Sequence, residues 1–355
     1  MELRKISRKS FITDCEGPLT LNDNAFEVAE KFIPEGGKFF KILSKYDDCL
    51  VEANHPGYHA GDTLKLIAPF FKAYDVGNQD LINYSRKNVN LVYGADNTLN
   101  YVKDKVHSFI VSTSYGQYIQ ALCDNTHFPY DNTVHTHLDL DNMPINEKDK
   151  QELKIFHDDI LKLNPQDIDQ FHKLDQIFFD KLPKMDIYDL VKTVDTVGGE
   201  GKRQAVKRIL KREDLPANNL MYMGDSITDV EPLEFAKKNG GLAIAFNGNS
   251  YAIEAADIAI ISDNTIVTSL LVDLHARYDN DYVREFVQRY SEKGHAEAFF
   301  IMLNDEELVV KFDKEYQRKT LPLIEIITDE NREYLIQESM KMRQSIRGTD
   351  IGGLG

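Results

Sequence analysis

Cysteine, basic charge and long apolar runs are all scarce in this 355-residue chain, and each scarcity removes a class of function. The three cysteines, Cys15, Cys49 and Cys123, are odd in number, widely separated and form no C-x-x-C pair. They support no disulfide framework, so the expected compartment is a reducing one, the cytoplasm. Lys and Arg number 42 against 58 Asp and Glu, a formal net charge of −16. Nothing supplies a broad positive field, so neither nucleic acid nor an anionic membrane is expected as a partner. No run of about 18 apolar residues occurs, which excludes a membrane-spanning helix from the expectations. Arg4, Lys5, Arg8 and Lys9 are followed only by Phe11 and Ile12 before the acids begin, so no signal-peptide apolar region is expected. Internal repeats and low-complexity tracts are absent as well.

What remains is a soluble-type composition, 42% apolar and 28% charged, on a chain long enough for a large core with additions. A short apolar run over residues 6–13 predicts a buried strand that ends in Asp14-Cys15-Glu16-Gly17-Pro18. From Leu21 to about Lys87 apolar residues recur at helical spacing, among them Phe26, Ala29, Phe32 and Ile33, which predicts a helical cap inserted after the first strand. Strand and helix then alternate from Leu91. His107–Val111 is an expected strand ending in Ser112-Thr113-Ser114, and the period-two alternation of Thr133–Leu140 predicts another. Residues 145–192 are rich in Lys and Asp, with Phe156, Ile160, Leu163, Ile168 and Phe171 at helical intervals. They read as amphipathic helices forming either a second insertion or a partner surface.

Further on, Gly198-Gly199-Glu200-Gly201-Lys202 opens a helix, and Asn219–Met223 is a strand terminating in Gly224-Asp225. Strands are also expected at Leu242–Phe246 and Ile258–Ile261, and a late one over Leu323–Ile327, with Thr328-Asp329 capping a closing helix and a frayed tail at 352–355. The organisation is thus an α/β doubly wound, Rossmann-like and mostly parallel sheet. It is built from 1–20, 91–144 and 193–275, with a helical cap at 21–90, a helical insertion at 145–192 and a C-terminal extension at 276–355.

Four features fall in order at strand ends or helix starts: Asp14 with Glu16, Ser112, Lys202, and Gly224-Asp225-Ser226-Ile227-Thr228-Asp229. Ligands of an open α/β sheet gather at the carboxyl ends of its strands. There the set suits phosphoryl transfer through a covalent aspartyl phosphate. Asp14 is the candidate nucleophile. A hard divalent cation, Mg²⁺, would offset the repulsion between carboxylate and phosphate, held by Asp14, Asp225, Asp229 and Glu16, the last through its backbone carbonyl. Ser112, Thr113, backbone amides and Lys202 would carry the charge on the phosphoryl oxygens. Glu16 would protonate the leaving oxygen and then activate water.

These motifs, Asp14-Cys15-Glu16-Gly17-Pro18-Leu19, Ile110-Val111-Ser112, Gly201-Lys202 and Gly224 to Asp229, resemble those of the haloacid dehalogenase (HAD) superfamily of phosphohydrolases. The phosphoserine-phosphatase-like branch, with its helical cap between the first two motifs, is the nearest likeness. Gly241 to Asn247 resembles the segment after the last motif there, which implies a role for Asn247 at the phosphate. The chain also resembles archaeal HAD proteins named for an energy-converting hydrogenase. Two residues depart from the family pattern. Glu16 stands where that family has Asp, which moves the carboxyl by about 1.5 Å, and Pro18 removes a backbone donor from the turn.

The expected function is therefore hydrolysis of a small phosphorylated metabolite. The alternative is a weakly catalytic or non-catalytic HAD-derived subunit that docks to a larger assembly through 145–192 or the C-terminal extension. Carbon–halogen hydrolysis on the same fold fits less well, because it has no use for the acid pair Asp225 and Asp229. His135 and His137 share a strand face but have no third ligand at suitable spacing, so they read as part of a polar strand face. His55 and His59 frame an exposed cap loop, and Cys15 is a small filler with nothing beside it to lower its pKa.

Overall fold

In the computed structural model, which describes residues 8–164 and 166–352, seven strands form one sheet in the order β3-β2-β1-β4-β5-β6-β7. They are β1 (Ser10–Thr13), β2 (His107–Tyr115), β3 (Thr133–Thr136), β4 (Leu220–Gly224), β5 (Leu242–Phe246), β6 (Ile258–Ile261) and β7 (Leu323–Ile326). The first six run parallel, and β7 adds antiparallel to β6. The chain moves outward from β1 to β3 and then returns to the other side of β1 with β4. This reversal opens the crevice at the carboxyl ends of β1 and β4.

Alternation along the strands divides the core into two layers. Phe11, Met221, Met223 and Ile244 face one layer, while Ile12, Tyr222, Ala243 and Ala245 face the other. Strands buried on both faces need helices on both, and the sequence supplies them as amphipathic segments such as Glu200–Arg212 and Ile266–Arg277.

The helical cap begins at Asn24–Phe32, where Asp23 accepts the Phe26 amide and so caps the first turn. Gly36–Glu52, Thr63–Ala73 and Asn78–Lys87 follow. Residues 145–192 do not form a separate body. Phe156, Ile160, Phe178 and Leu190 share one apolar cluster with Phe39, Phe70 and Phe71 of those first helices. The cap core is therefore closed by two stretches of chain, inserted after β1 and after β3.

Three expectations shift. β3 ends at Thr136 because Leu138 and Leu140 leave the sheet to join the cap cluster. β2 runs on through Ser112 to Tyr115. The closing helix starts at Arg332 rather than at Thr328, because Thr328 and Asn331 exchange hydrogen bonds in the turn before it. The first two residues of the expected first strand, 6 and 7, and the tail from 353 onward lie outside the described residues.

Candidate active site

Asp14 is the first residue beyond β1, its amide bonded to Met223 O at 2.9 Å on the neighbouring strand. Its Oδ1 accepts the Cys15 amide at 2.6 Å and its Oδ2 the Lys202 ammonium at 2.6 Å. Lys202 is fully buried and also donates to Asp229 Oδ1 at 2.8 Å and Thr228 Oγ1 at 3.0 Å. An unpaired ammonium in such a place would be very costly, and two carboxylates meet it. Burial pulls its pKa down, but Asp14 and Asp229 more than offset this and leave it above its ordinary range.

Asp229 is a hub rather than an open ligand. Its Oδ1 takes Lys202 and the Tyr222 hydroxyl, and its Oδ2 takes the amides of Asp225 and Ser226. These bonds fold the Gly224–Asp229 turn so that Asp225 faces Asp14. Oxygens of Asp14, Asp225 and Asp229 lie within 4.8 Å of one another. Gly17 permits the approach: its φ is +92°, and a Cβ there would sit 2.2 Å from Asp225 Oδ2.

The cluster opens onto a cavity of about 130 Å³ between sheet and cap, lined by Asp14, Ser112, Thr113, Asp225 and Thr228 below and by Phe40, Asp48 and Leu64 of the cap above. This is smaller than the roughly 300–1,000 Å³ of sites for drug-sized ligands. Ser112 Oγ is 3.0 Å from Ser114 Oγ and accepts the Ser114 amide at 3.2 Å. Thr113 Oγ1 is buried and has no hydrogen-bond partner among the described residues, as suits a hydroxyl awaiting a ligand.

Burial pushes the Asp14 carboxyl up to about 7, against the pull of Lys202 and with help from Asp229 and Asp225. Three facing carboxylates made of hard oxygen donors, one of them hard to ionise unaided, fit a divalent cation.

Glu16 is expected to reach a cation through its backbone carbonyl, which leaves its side chain for the acid role. Its carboxyl lines the cavity but lies outside the acid cluster, accepting the Asn24 amide at 2.8 Å at the start of the first cap helix. Burial and the neighbouring Asp23 push its pKa well above the usual carboxylate range. Asn247 departs from expectation. Both ends of its amide are bound to the Ser262 backbone, at 2.7 and 2.9 Å, so its side chain braces the turn after β5 instead of reaching the cavity. His135 is bonded to Tyr130, and His55 stacks on Phe179; none of His55, His59, His135 and His137 lines this cavity. Cys15 is buried and its thiol is held well above its usual pKa by burial.

Two residues absent from every sequence motif stand at the centre. Arg343 and Arg347, from the closing helix, both donate to Asp225 Oδ2, at 2.5 and 3.2 Å. Their one sequence signal is a spacing of four, which puts both on the same helix face.

Residues 93–269 match the family model of haloacid dehalogenase-like hydrolases. Over nearly its whole length the chain is similar to the solved structure of gene product AF1437 from Archaeoglobus fulgidus, with 28% identity, a TM-score of 0.76 and coverage of 98% of this chain and 99% of that one. A substrate-bound phosphoserine phosphatase complex aligns at 16% identity and a TM-score of 0.47, over 74% of this chain and 96% of that one. A phospho-aspartyl intermediate analogue of phosphoserine phosphatase aligns at 16% identity and 0.46, over 71% and 93%. No curated protein matches, and nothing among these relatives supports the narrower likeness to proteins named for a hydrogenase. Among the described residues no helix is long and apolar enough to cross a membrane. Strand order and motif residues agree with the match of residues 93–269 to the haloacid dehalogenase-like hydrolases.

Proposed function

We propose that the protein is a Mg²⁺-dependent phosphatase of a small phosphorylated metabolite, acting through a covalent phosphate on Asp14. The observation that carries this reading is the buried Lys202 bridging Asp14 and Asp229 at the mouth of the β1–β4 crevice, directly beneath a small cavity. Asp14 and Asp225, with Asp229 behind them, would hold the cation, which when bound offsets the repulsion between nucleophile and substrate.

Asp14 attacks phosphorus while the bond to the leaving oxygen breaks, and its two existing hydrogen bonds hold the carboxylate in line. Lys202, Ser112 and Thr113 take the charge on the transferring oxygens. Glu16, which burial and Asp23 make a weaker acid than a free glutamate, gives a proton to the leaving oxygen. It then removes one from water as the water attacks phosphorus and the Asp14–phosphorus bond breaks. The longer side chain of Glu16 fits this role because the Asn24 amide anchors it away from the acid cluster. The cavity suits a small leaving group, and the −16 net charge makes local cations necessary for any anion to bind.

The test is hydrolysis of p-nitrophenyl phosphate with Mg²⁺ and with EDTA. Turnover is expected only with Mg²⁺, falling roughly a thousandfold or more in Asp14→Asn and about 10²–10⁴-fold in Glu16→Gln. Turnover that persists in EDTA, or in Asp14→Asn, overturns the reading.

A further inference from the structure

The closing helix Arg332–Gly352 meets the rest of the protein along a stripe of residues four apart. Leu335 is buried in the core layer with Ile209 and Leu233, and Ser339 Oγ donates to Gly248 O at 2.6 Å. Arg343 and Arg347, the next two in the stripe, arrive at the acid cluster. Their side chains are only 2% and 6% exposed. Filling space needs no charge, and a buried guanidinium persists where its donors are matched by acceptors.

Besides the Asp225 carboxylate, the acceptors here are four carbonyls from three separate stretches of chain. Arg343 Nη1 donates to Asp225 O at 3.2 Å and Asn247 O at 3.0 Å, besides Asp225 Oδ2. Arg347 donates through Nε to Leu21 O at 3.1 Å, through Nη2 to Asn22 O at 2.6 Å, and through Nη1 to Asp225 Oδ2. Leu21 and Asn22 lie on the linker into the cap, where Leu21 pairs with Asn90 on the returning strand of chain. Arg343 through Nη1 and Arg347 through the whole of its planar fork thus tie the Asp225 carboxylate to a rigid frame, and the three-nitrogen reach of Arg347 is one that a lysine ammonium could not match.

We propose that Arg343 and Arg347 are positioning residues of the site, clamping Asp225 by one oxygen so that its carboxylate stays in the acid cluster for the cation. This rests on the phosphatase reading for the use made of Asp225. The alternative, a latch that blocks the site, is disfavoured by geometry. Both guanidiniums converge on Oδ2, Asp225 keeps an oxygen within 4.8 Å of Asp14 and Asp229, and the cavity beside them stays open. A latch would also have to leave five acceptors in order to move.

The test is the Mg²⁺-induced shift in melting temperature of the full chain, measured across Mg²⁺ concentrations without substrate and alongside p-nitrophenyl phosphate turnover. Loss of a group that orients a metal ligand costs about 10–100-fold in metal affinity. Arg343→Gln and Arg347→Gln are therefore each expected to raise the Mg²⁺ midpoint by about 10–100-fold. Ser339→Ala, which loosens the same helix away from the site, should lower the melting temperature and leave the midpoint unchanged. If Arg343→Gln does not fold, Arg347→Gln carries the test. A variant midpoint equal to that of the wild type overturns the proposal alone, by making the arginines structural. A tighter midpoint with faster turnover overturns it in favour of the latch. A wild type that shows neither a Mg²⁺ shift nor turnover overturns the phosphatase reading together with the proposal.

Discussion

The cap and the C-terminal extension look alike as sequence, each being some seventy to eighty residues of amphipathic helix attached to an α/β core, yet they are built into the molecule in opposite ways. The cap has a core of its own, in which Phe39, Phe70, Phe156 and Phe178 pack on one another. The extension has none. Phe286, Phe299 and Phe312 fall in the same cluster as Met221, Ile244 and Leu270 of the central sheet, β7 extends that sheet, and the closing helix delivers Arg343 and Arg347 to Asp225. An addition that closes its own apolar core can open as a unit, whereas one that borrows the core of its host cannot.

The most severe way to break this comparison is to cut a large side chain from each core. Phe39→Ala and Phe312→Ala both remove fully buried rings and should each cost about 3–5 kcal/mol. In hydrogen exchange, Phe39→Ala should expose the cap helices while β1 and β4 keep their protection. Phe312→Ala should lower protection of the sheet and of the extension together. Equal loss in the sheet from both would mean that the cap does not open separately.

Acid should act with opposite sign on one buried group in each region. His275, where core helix and extension meet, is held neutral by burial with its pKa lowered to about 4. The unfolded chain binds its proton more readily, so stability is full above about pH 6.5 and falls as pH drops towards 4, by roughly 3 kcal/mol. In the cap, burial raises Asp47 to about 6 despite its bonds to Tyr58, Gly61 and Thr63. There the folded form binds the proton more readily, so stability is lost as pH rises from about 4 to 6, again by roughly 3 kcal/mol. Against the wild type as pH rises from 4 to 6.5, His275→Gln should lack a gain in core stability and Asp47→Asn should lack a loss in cap stability, whatever the other titrating groups such as Asp14 add to both curves. A variant whose pH profile differs from that of the wild type in the opposite sense, or not at all, would contradict the assignment.

The smallest effect expected is at the seam. Tyr251, on the core, donates to Glu52 of the cap at 2.5 Å in an exposed position. Tyr251→Phe should favour cap opening by about 1 kcal/mol or less, visible as faster exchange in the helix Gly36–Glu52 with core protection unchanged.

Much of this arrangement was legible because its causes are local. A strand that ends in Asp14, a glycine and two acids folded by their own turn, and a lysine opening a helix are each decided within about ten residues, and they meet because the strand order brings β1 beside β4. What escaped depends on contacts distant in sequence. Leu138 and Leu140 continue the alternation of β3, but their apolar surface is claimed by the cap. The Glu16 carboxyl stands two residues from Asp14 in the motif, yet the Asn24 amide holds it apart from the acid cluster. Asn247 has a motif position, but Ser262 occupies its amide. Arg343 and Arg347 sit on an ordinary charged helix whose partner, Asp225, lies 118 residues from Arg343, and no pattern of spacing encodes that.

That distance also bears on how the protein is made. Arg347 bonds to Leu21 across 326 residues of chain, so a ribosome must have released the chain through Arg347 before the arginine can find its carbonyl. Asp14, Lys202 and Asp225 can come together earlier in synthesis, as the sheet grows around β1. A chain still short of the closing helix would then have its nucleophile in place and Asp225 unheld, so that the site matures only once that helix has emerged.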